Sequence, residues 1–92
     1  MRVKLIVERR KSHEGMIGKE TREEFNLLYE KEAAIQAIDD VLNEIDTYHA
    51  NNDTEIHPVE SEYIEDVKRL KEGFYSFDVG DFVCYIEIIS EV

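Results

Sequence analysis

The apolar residues of this 92-residue chain change their spacing twice along the sequence. Val3, Leu5 and Val7 alternate with other residues, which is the period of a strand with one buried face. Between residues 34 and 48 the apolar residues recur at the spacings of an amphipathic helix, and between residues 74 and 88 they alternate again. The sequence therefore predicts strands at both ends, including one over residues 2–9, and helices between them.

Residues 21–30 satisfy two conflicting patterns. They begin with Thr-Arg-Glu-Glu, the spacing of a helix capping box, yet Phe25, Leu27 and Tyr29 alternate as in a strand. At about 100° per residue, extending the following helix backwards would put Phe25 and Tyr29 on the side opposite its apolar residues. A single helix would thus expose two large aromatic rings, so we predict a strand that pairs with residues 2–9 and buries all three side chains.

Two helices are predicted in the middle of the chain. The first covers residues 32–49 and is broken by Asn51-Asn52-Asp53. Its apolar arc contains Ala34, Ile35, Ile38, Val41, Leu42, Ile45 and Tyr48. The second begins at Pro58, which suits the first turn of a helix, and Gly73 suits the position just past its end. Its buried stripe is predicted to contain Val59, Tyr63, Val67 and Leu70, with Ile64 at the edge.

The C-terminal segment predicts a hairpin around a Gly80-Asp81 turn. In that register the inner face pairs Val79 with Phe82, Phe77 with Cys84 and Tyr75 with Ile86. The outer face pairs Asp78 with Val83, Ser76 with Tyr85 and Phe74 with Glu87. The predicted order is β-β-α-α-β-β in a single domain of residues 1–92. This order favours a two-layer α+β fold, with an antiparallel four-stranded sheet covered on one face by two helices.

Charge is distributed very unevenly along this chain. Twenty-two acidic and eleven basic residues give a net charge of −11. From Glu32 to Val67 there are eleven Asp or Glu residues and no Lys or Arg. Because this acidic block coincides with the predicted helices, we expect a folded negative face. The carboxylates predicted to bind a partner are Asp39, Asp40, Glu44, Asp46, Glu62, Glu65 and Asp66.

The acidic face suggests a small non-enzymatic binding protein, an inhibitor or accessory factor that docks on a basic surface of a partner protein. Carboxylates one helical turn apart lie about 5–6 Å apart, close to the spacing of backbone phosphates, so the face could occupy a nucleic-acid-binding site. In general type the chain resembles the compact acidic proteins that mobile elements encode to disable host nucleases. Charge and size carry that resemblance. The alternative is a solvated face that only maintains solubility.

A second hypothesis involves the basic residues near the N-terminus. Arg9, Arg10, Lys11, Lys19 and Arg22 bracket the loop at residues 13–18 and could bind a small anion or nucleotide. They could equally balance the charge of the acidic helices. The net charge opposes direct binding of long nucleic acid, whose phosphates would repel the rest of the surface.

Motifs for catalysis, metals and cofactors are weak in this sequence. His49, Asp53 and His57 have a ligand-like spacing, but the predicted break at residues 51–53 disrupts it and no cysteine pair accompanies it. We expect no enzyme activity, metal or cofactor. The single cysteine, Cys84, reads as a buried thiol in a cytoplasmic protein. No apolar run approaches the roughly 20 residues that a membrane span needs, so no membrane association is expected.

The predicted outer face of the sheet is less charged than the helices. Ile6, Phe74, Val83 and Tyr85 fall on it, and such a patch is typical of a dimer or partner interface. A homodimer is therefore expected as one use of this face. The third functional hypothesis is a structural homo-oligomer subunit whose acidity serves solubility alone.

Overall fold

The computed structural model describes residues 2–11, 21–80 and 82–90, apart from the side chains of residues 11 and 21–24. Its elements are β1 (Arg2–Lys11), β2 (Thr21–Glu30), α1 (Lys31–Asn51), α2 (Pro58–Lys68), β3 (Gly73–Val79) and β4 (Phe82–Ser90). The strands form one antiparallel sheet in the order β2-β1-β4-β3, and the helices pack against it. The predicted α+β fold and element order are confirmed.

The conflict over residues 21–30 is resolved in favour of the strand. β2 pairs with β1 so that Phe25 lies opposite Val7 and Tyr29 opposite Val3, with a register shift between Val7 and Glu8. The Phe25 and Tyr29 rings meet edge to face with centroids 5.9 Å apart and pack against the core. Leu27 was predicted to be buried, and this is wrong: it is 59% exposed. An edge strand lacks a neighbour on one side, which leaves its side chains open to solvent.

The core lies between the sheet and the helices. β1 and β4 are its central strands, and their inward residues are fully buried together with Phe77 of β3. The fully buried strand residues are Val3, Leu5, Val7, Phe77, Cys84, Ile86 and Ile88. From the helices the core receives Ala34, Ile38, Val41, Leu42, Ile45 and Val67. Each large aliphatic side chain buried in this way contributes about 1.5–3 kcal/mol. Cys84 is buried as predicted.

Two apolar helical residues predicted for the core are more exposed than expected. Ile35 is 37% exposed, because it lies at the margin of the apolar arc of α1. Val59 is 45% exposed in the first turn of α2, where it lines a shallow groove beside β3. The prediction that Val59 is buried is therefore wrong, and Ile35 is exposed although it belongs to the apolar arc of α1.

α2 ends earlier than the sequence predicts. Its last residue is Lys68, and Leu70 then adopts the left-handed conformation, with φ of 55°. That conformation costs roughly 1–2 kcal/mol for a residue with a side chain. It is offset because the Leu70 side chain turns into the core, where only 7% remains exposed. Gly73 is the first residue of β3, so its predicted role as the residue just past the helix is wrong.

The predicted hairpin register is confirmed at every described pair. β3 and β4 pair from Val79–Phe82 to Phe74–Glu87 as expected, and the pairing continues to Gly73–Ile88. Gly80 has φ of 68°, which suits glycine in a tight turn. Asp81, the second residue of the predicted turn, lies outside the described residues.

Candidate partner-binding surfaces

The outward sides of α1 and α2 carry most of the acidic block. We call this surface the acidic helical face. Six of the seven carboxylates predicted to bind a partner are exposed there: Asp39, Asp40, Glu44, Asp46, Glu62 and Glu65. The seventh, Asp66, is half-buried. All seven therefore lie on α1 and α2, but Glu44 contacts Arg9 of the sheet and Asp66 lies close to Tyr75 of β3.

The α1 carboxylates occupy two flanks of the helix. At about 100° per residue, Asp39 and Asp46 project about 20° apart, and Asp40 and Glu44 project about 40° apart. The two pairs are separated by about 130° around the helix axis. The four acids therefore form two rows, with the exposed Asn43 between them.

Glu44 is held in place by a residue of the sheet. Its carboxylate accepts a hydrogen bond from the guanidinium of Arg9, on the helix-facing side of β1. The Arg9 side chain is 10% exposed and the Glu44 side chain 56% exposed. A nearly buried cation is thus paired with the inner side of the acidic helical face, which fixes the carboxylate and lowers the cost of burying the arginine.

Asp66 lies near the C-terminal end of α2 and acts on two neighbours. Its carboxylate is 4.0 Å from the Lys71 ammonium. Tyr75 packs close by, and its hydroxyl donates a 2.6 Å hydrogen bond to the Lys71 carbonyl. Burial raises the pKa of Tyr75 above its ordinary value of 10.0, and the negative charge of Asp66 adds to the effect.

The basic residues proposed as an anion site are divided between two faces of the sheet. Arg9 points towards the helices, whereas Arg10 lies on the opposite face. There Arg10 donates a 2.7 Å hydrogen bond to Glu8, and its guanidinium lies 5.3 Å from the centre of the Tyr85 ring. Lys19 and the side chains of Lys11 and Arg22 lie outside the described residues. The two arginines that are described do not form one cluster.

The side of the sheet away from the helices is a second surface, which we call the outer sheet face. Its centre is a shallow depression of about 290 Å³ lined by Ile6, Glu8, Arg10, Asn26, Phe74, Tyr85 and Glu87. Phe74 is 62% exposed and stacks on Tyr85 with ring centroids 5.4 Å apart. The register confirms that Ile6, Phe74, Val83 and Tyr85 share this face. Leu28, which is 45% exposed, extends it on β2 and was missed from the sequence.

Glu60 has a role that the sequence did not suggest. Its carboxylate accepts a 3.1 Å hydrogen bond from the backbone N–H of Asp78 in the edge strand β3. This contact links the first turn of α2 to the sheet edge, above a groove that also contains Val59, Tyr63 and Ser76. Because the carboxylate already accepts a hydrogen bond from this N–H of the edge strand, another strand cannot easily pair with β3 at that position.

His49 and His57 have local structural contacts. His57 is the N-cap of α2, where its Nδ1 accepts a 3.1 Å hydrogen bond from the N–H of Val59. His49 Nδ1 lies 2.8 Å from the Thr54 hydroxyl. Among the described residues, no three or more His, Cys, Asp or Glu side chains form a group that could hold a metal ion.

In the part of the chain that the structure describes, neither helix combines the length and the apolar character needed to cross a membrane. No protein-family model matches the chain, and no curated protein or solved structure matches it either. Its function must therefore be inferred from its own surfaces.

Proposed function

We propose that this protein is a non-enzymatic binding protein that docks its acidic helical face on a basic surface of a protein partner. The partner's surface would be one that otherwise binds nucleic acid, so the protein would act as an inhibitor or accessory factor in the cytoplasm. The observation that carries the proposal is the density of exposed carboxylates on α1 and α2 without one Lys or Arg between residues 32 and 67.

The lack of compensating cations supports binding over simple solubility. Like charges at i, i+4 destabilise a helix by a few tenths of a kcal/mol, and ordinary exposed faces relieve this with interspersed Lys. Here Asp40 and Glu44 stand at that spacing. Among the described residues, the ion pairs of the seven carboxylates are Glu44 with Arg9 and Asp66 with Lys71. The other five remain available to a partner's cations.

The position of the carboxylates on helices also supports the proposal. Asp39 and Asp46 lie on a helix anchored by five buried residues, so their backbones are fixed before binding. Short Asp side chains lose little rotational entropy when they pair. A preorganised acidic row gives fast, salt-sensitive association with a basic surface.

The structure determines which acids are suitable for a test. Reversing Glu44 would place a second cation beside the buried Arg9 and would disturb the fold as well as the surface. Asp39 and Asp46 are exposed and form a row of their own. The test variant is therefore Asp39→Lys with Asp46→Lys. The matched control is Glu55→Lys with Glu72→Lys, which makes the same charge change at exposed positions outside both helices and outside the sheet.

The experiment is affinity capture from lysate of the source organism with wild-type, test and control proteins as bait, quantified by mass spectrometry. We expect a basic protein retained by wild type and control at about 50 mM salt, lost at about 500 mM salt, and not retained by the test variant. A polyanion such as heparin should displace it. Equal retention by all three baits, or retention that ignores salt, would contradict the proposal.

A further inference from the structure

We propose that the outer sheet face is the contact surface between two copies of this chain, which pack sheet against sheet. This goes beyond the proposed function, which uses the opposite side of the fold, and it does not depend on it.

The apolar character of the outer sheet face is the first observation. Phe74 and Leu28 are two of the most exposed large apolar side chains among the described residues, at 62% and 45%. The cross-strand register places Phe74 level with Glu87, Ile6 and Asn26 across all four strands. The exposed Phe74 ring stacks on the half-buried Tyr85 and shares the depression with the half-buried Ile6, although Glu87 lies between Phe74 and Ile6 in the register. Exposed aromatic surface of this kind is typical of an interface.

The charge of the outer sheet face favours a second copy of this chain as the occupant. Its described side chains include three cations, Arg2, Lys4 and Arg10. They also include four carboxylates, Glu8, Glu30, Asp78 and Glu87. Three cations against four carboxylates leave −1, whereas the chain carries −11. A nearly balanced surface of mixed sign can meet a copy of itself with little repulsion.

The acidic helical faces also favour this arrangement. When two sheets pack face to face, the helical layers lie on the two outer sides, as far apart as the fold allows. Packing helices against helices would instead bring two unbalanced rows of carboxylates together. A sheet-to-sheet dimer would therefore leave both acidic helical faces open, and it would display two of them.

The size of the face fits a dimer of moderate strength. Four strands about 4.8 Å apart and about eight residues long cover about 500 Å². Two copies would bury about 1,000 Å² in total, which is near the lower limit for a specific interface. With a two-fold axis along the strands between β1 and β4, each Phe74 would lie beside the partner's Asn26 and the partner's Leu28. Stacked sheets usually cross at about −30°, which preserves this proximity.

The test is sedimentation equilibrium of wild type, Phe74→Asp and Val59→Asp over a micromolar concentration series. We expect wild type to reach twice 10.8 kDa at tens of micromolar. Phe74→Asp should weaken the dimer by about tenfold or more, because it replaces an aromatic ring of the interface by a charge. Val59→Asp removes an exposed apolar side chain on α2 and should leave the dimer intact. Circular dichroism and urea unfolding of each variant verify the fold, and Leu28→Asp provides a second variant on the face.

Salt separates this contact from the proposed partner contact. Added salt screens repulsion between two chains of charge −11, so the dimer should hold or strengthen while the acidic helical face loses its partner. A wild type that stays monomeric at several hundred micromolar would overturn the proposal. So would folded Phe74→Asp and Leu28→Asp variants that dimerise like wild type. If wild type is monomeric and captures a protein that the Phe74→Asp variant does not capture, the outer sheet face binds that protein and not a second copy. This result would also overturn the proposal.

Discussion

Arg9 of β1 donates a hydrogen bond to Glu44 of α1 and so joins the central region of the sheet to the acidic helical face. The arginine is nearly buried and the carboxylate is half in solvent. Glu44 therefore stabilises the fold in addition to being part of the acidic helical face. Asp40, one turn before it, is only part of that face.

The first prediction concerns this pair. Glu44→Lys should lower the free energy of unfolding by about 1–2 kcal/mol, because it places a cation beside a guanidinium that has little access to water. Asp40→Lys makes the same charge change on the same flank and should change stability by less than about 0.5 kcal/mol. Urea unfolding with a shared slope measures both. Equal losses for the two variants would show that Arg9 does not depend on Glu44.

The second prediction concerns the edge of the sheet at β3. Glu60→Ala removes the acceptor for the Asp78 N–H and should cost about 1 kcal/mol of stability. Hydrogen exchange at the Asp78 amide should accelerate by more than the global change in stability explains. Glu60→Gln keeps an oxygen acceptor and should behave closer to wild type, and Glu62→Ala is the exposed control on the same helix. Unchanged exchange at Asp78 in Glu60→Ala would refute the contact.

The third prediction concerns the β3–β4 turn. A Cβ at Gly80 would lie 3.1 Å from Cε2 of Tyr48, and the backbone there has a φ of 68°. Gly80→Ala should therefore destabilise the protein by about 1–2 kcal/mol through backbone strain and contact with Tyr48. A double-mutant cycle with Tyr48→Ala separates the two causes. Removing the Tyr48 ring relieves the contact with the new Cβ but leaves the backbone strain unchanged, so the coupling energy measures the contact alone. A coupling energy of zero would mean that the ring does not limit this position.

The fourth prediction concerns stability at high pH. Because burial and Asp66 raise the pKa of Tyr75, the folded protein retains its phenolic proton above pH 10.0, where the unfolded chain loses it. The stabilisation is complete below pH 10.0 and is lost as the pH rises through the folded pKa. Tyr75→Phe should be less stable than wild type at pH 8, since it cannot donate to the Lys71 carbonyl. The difference should shrink as the pH rises above 10.0, and a constant difference would contradict this assignment.

The elements of the fold followed from local patterns. The helical wheel excluded a continuous helix through Phe25 and Tyr29, and both rings do pack on the core as strand residues. The β3–β4 register followed because each inward residue faced another apolar residue. Both inferences depend on neighbours in sequence or on an adjacent strand, which periodicity reveals.

The errors arose where burial depends on distant packing. Leu27 and Val59 both have apolar side chains in regular elements. Leu27 lies on an edge strand and Val59 in the first turn of a helix, so their exposure depends on which other elements pack beside them. Leu70 ends α2 because the core accepts its side chain, and no local signal predicts that. Arg9 did carry a signal, since it continues the inward alternation of Val3, Leu5 and Val7. Its partner on α1 could not be identified before the helix was placed on the sheet.

One measurement decides whether the acidic helical face is the contact surface. It is the affinity of a captured partner for wild type, the test variant and the control variant, measured by titration across a salt series. We expect wild type and the Glu55→Lys, Glu72→Lys control to bind alike and to lose affinity steeply as salt rises. Asp39→Lys with Asp46→Lys should weaken binding by about tenfold or more, equivalent to about 1.4 kcal/mol. Equal affinity for all three proteins, with no dependence on salt, would show that the acidic helical face does not bind the partner.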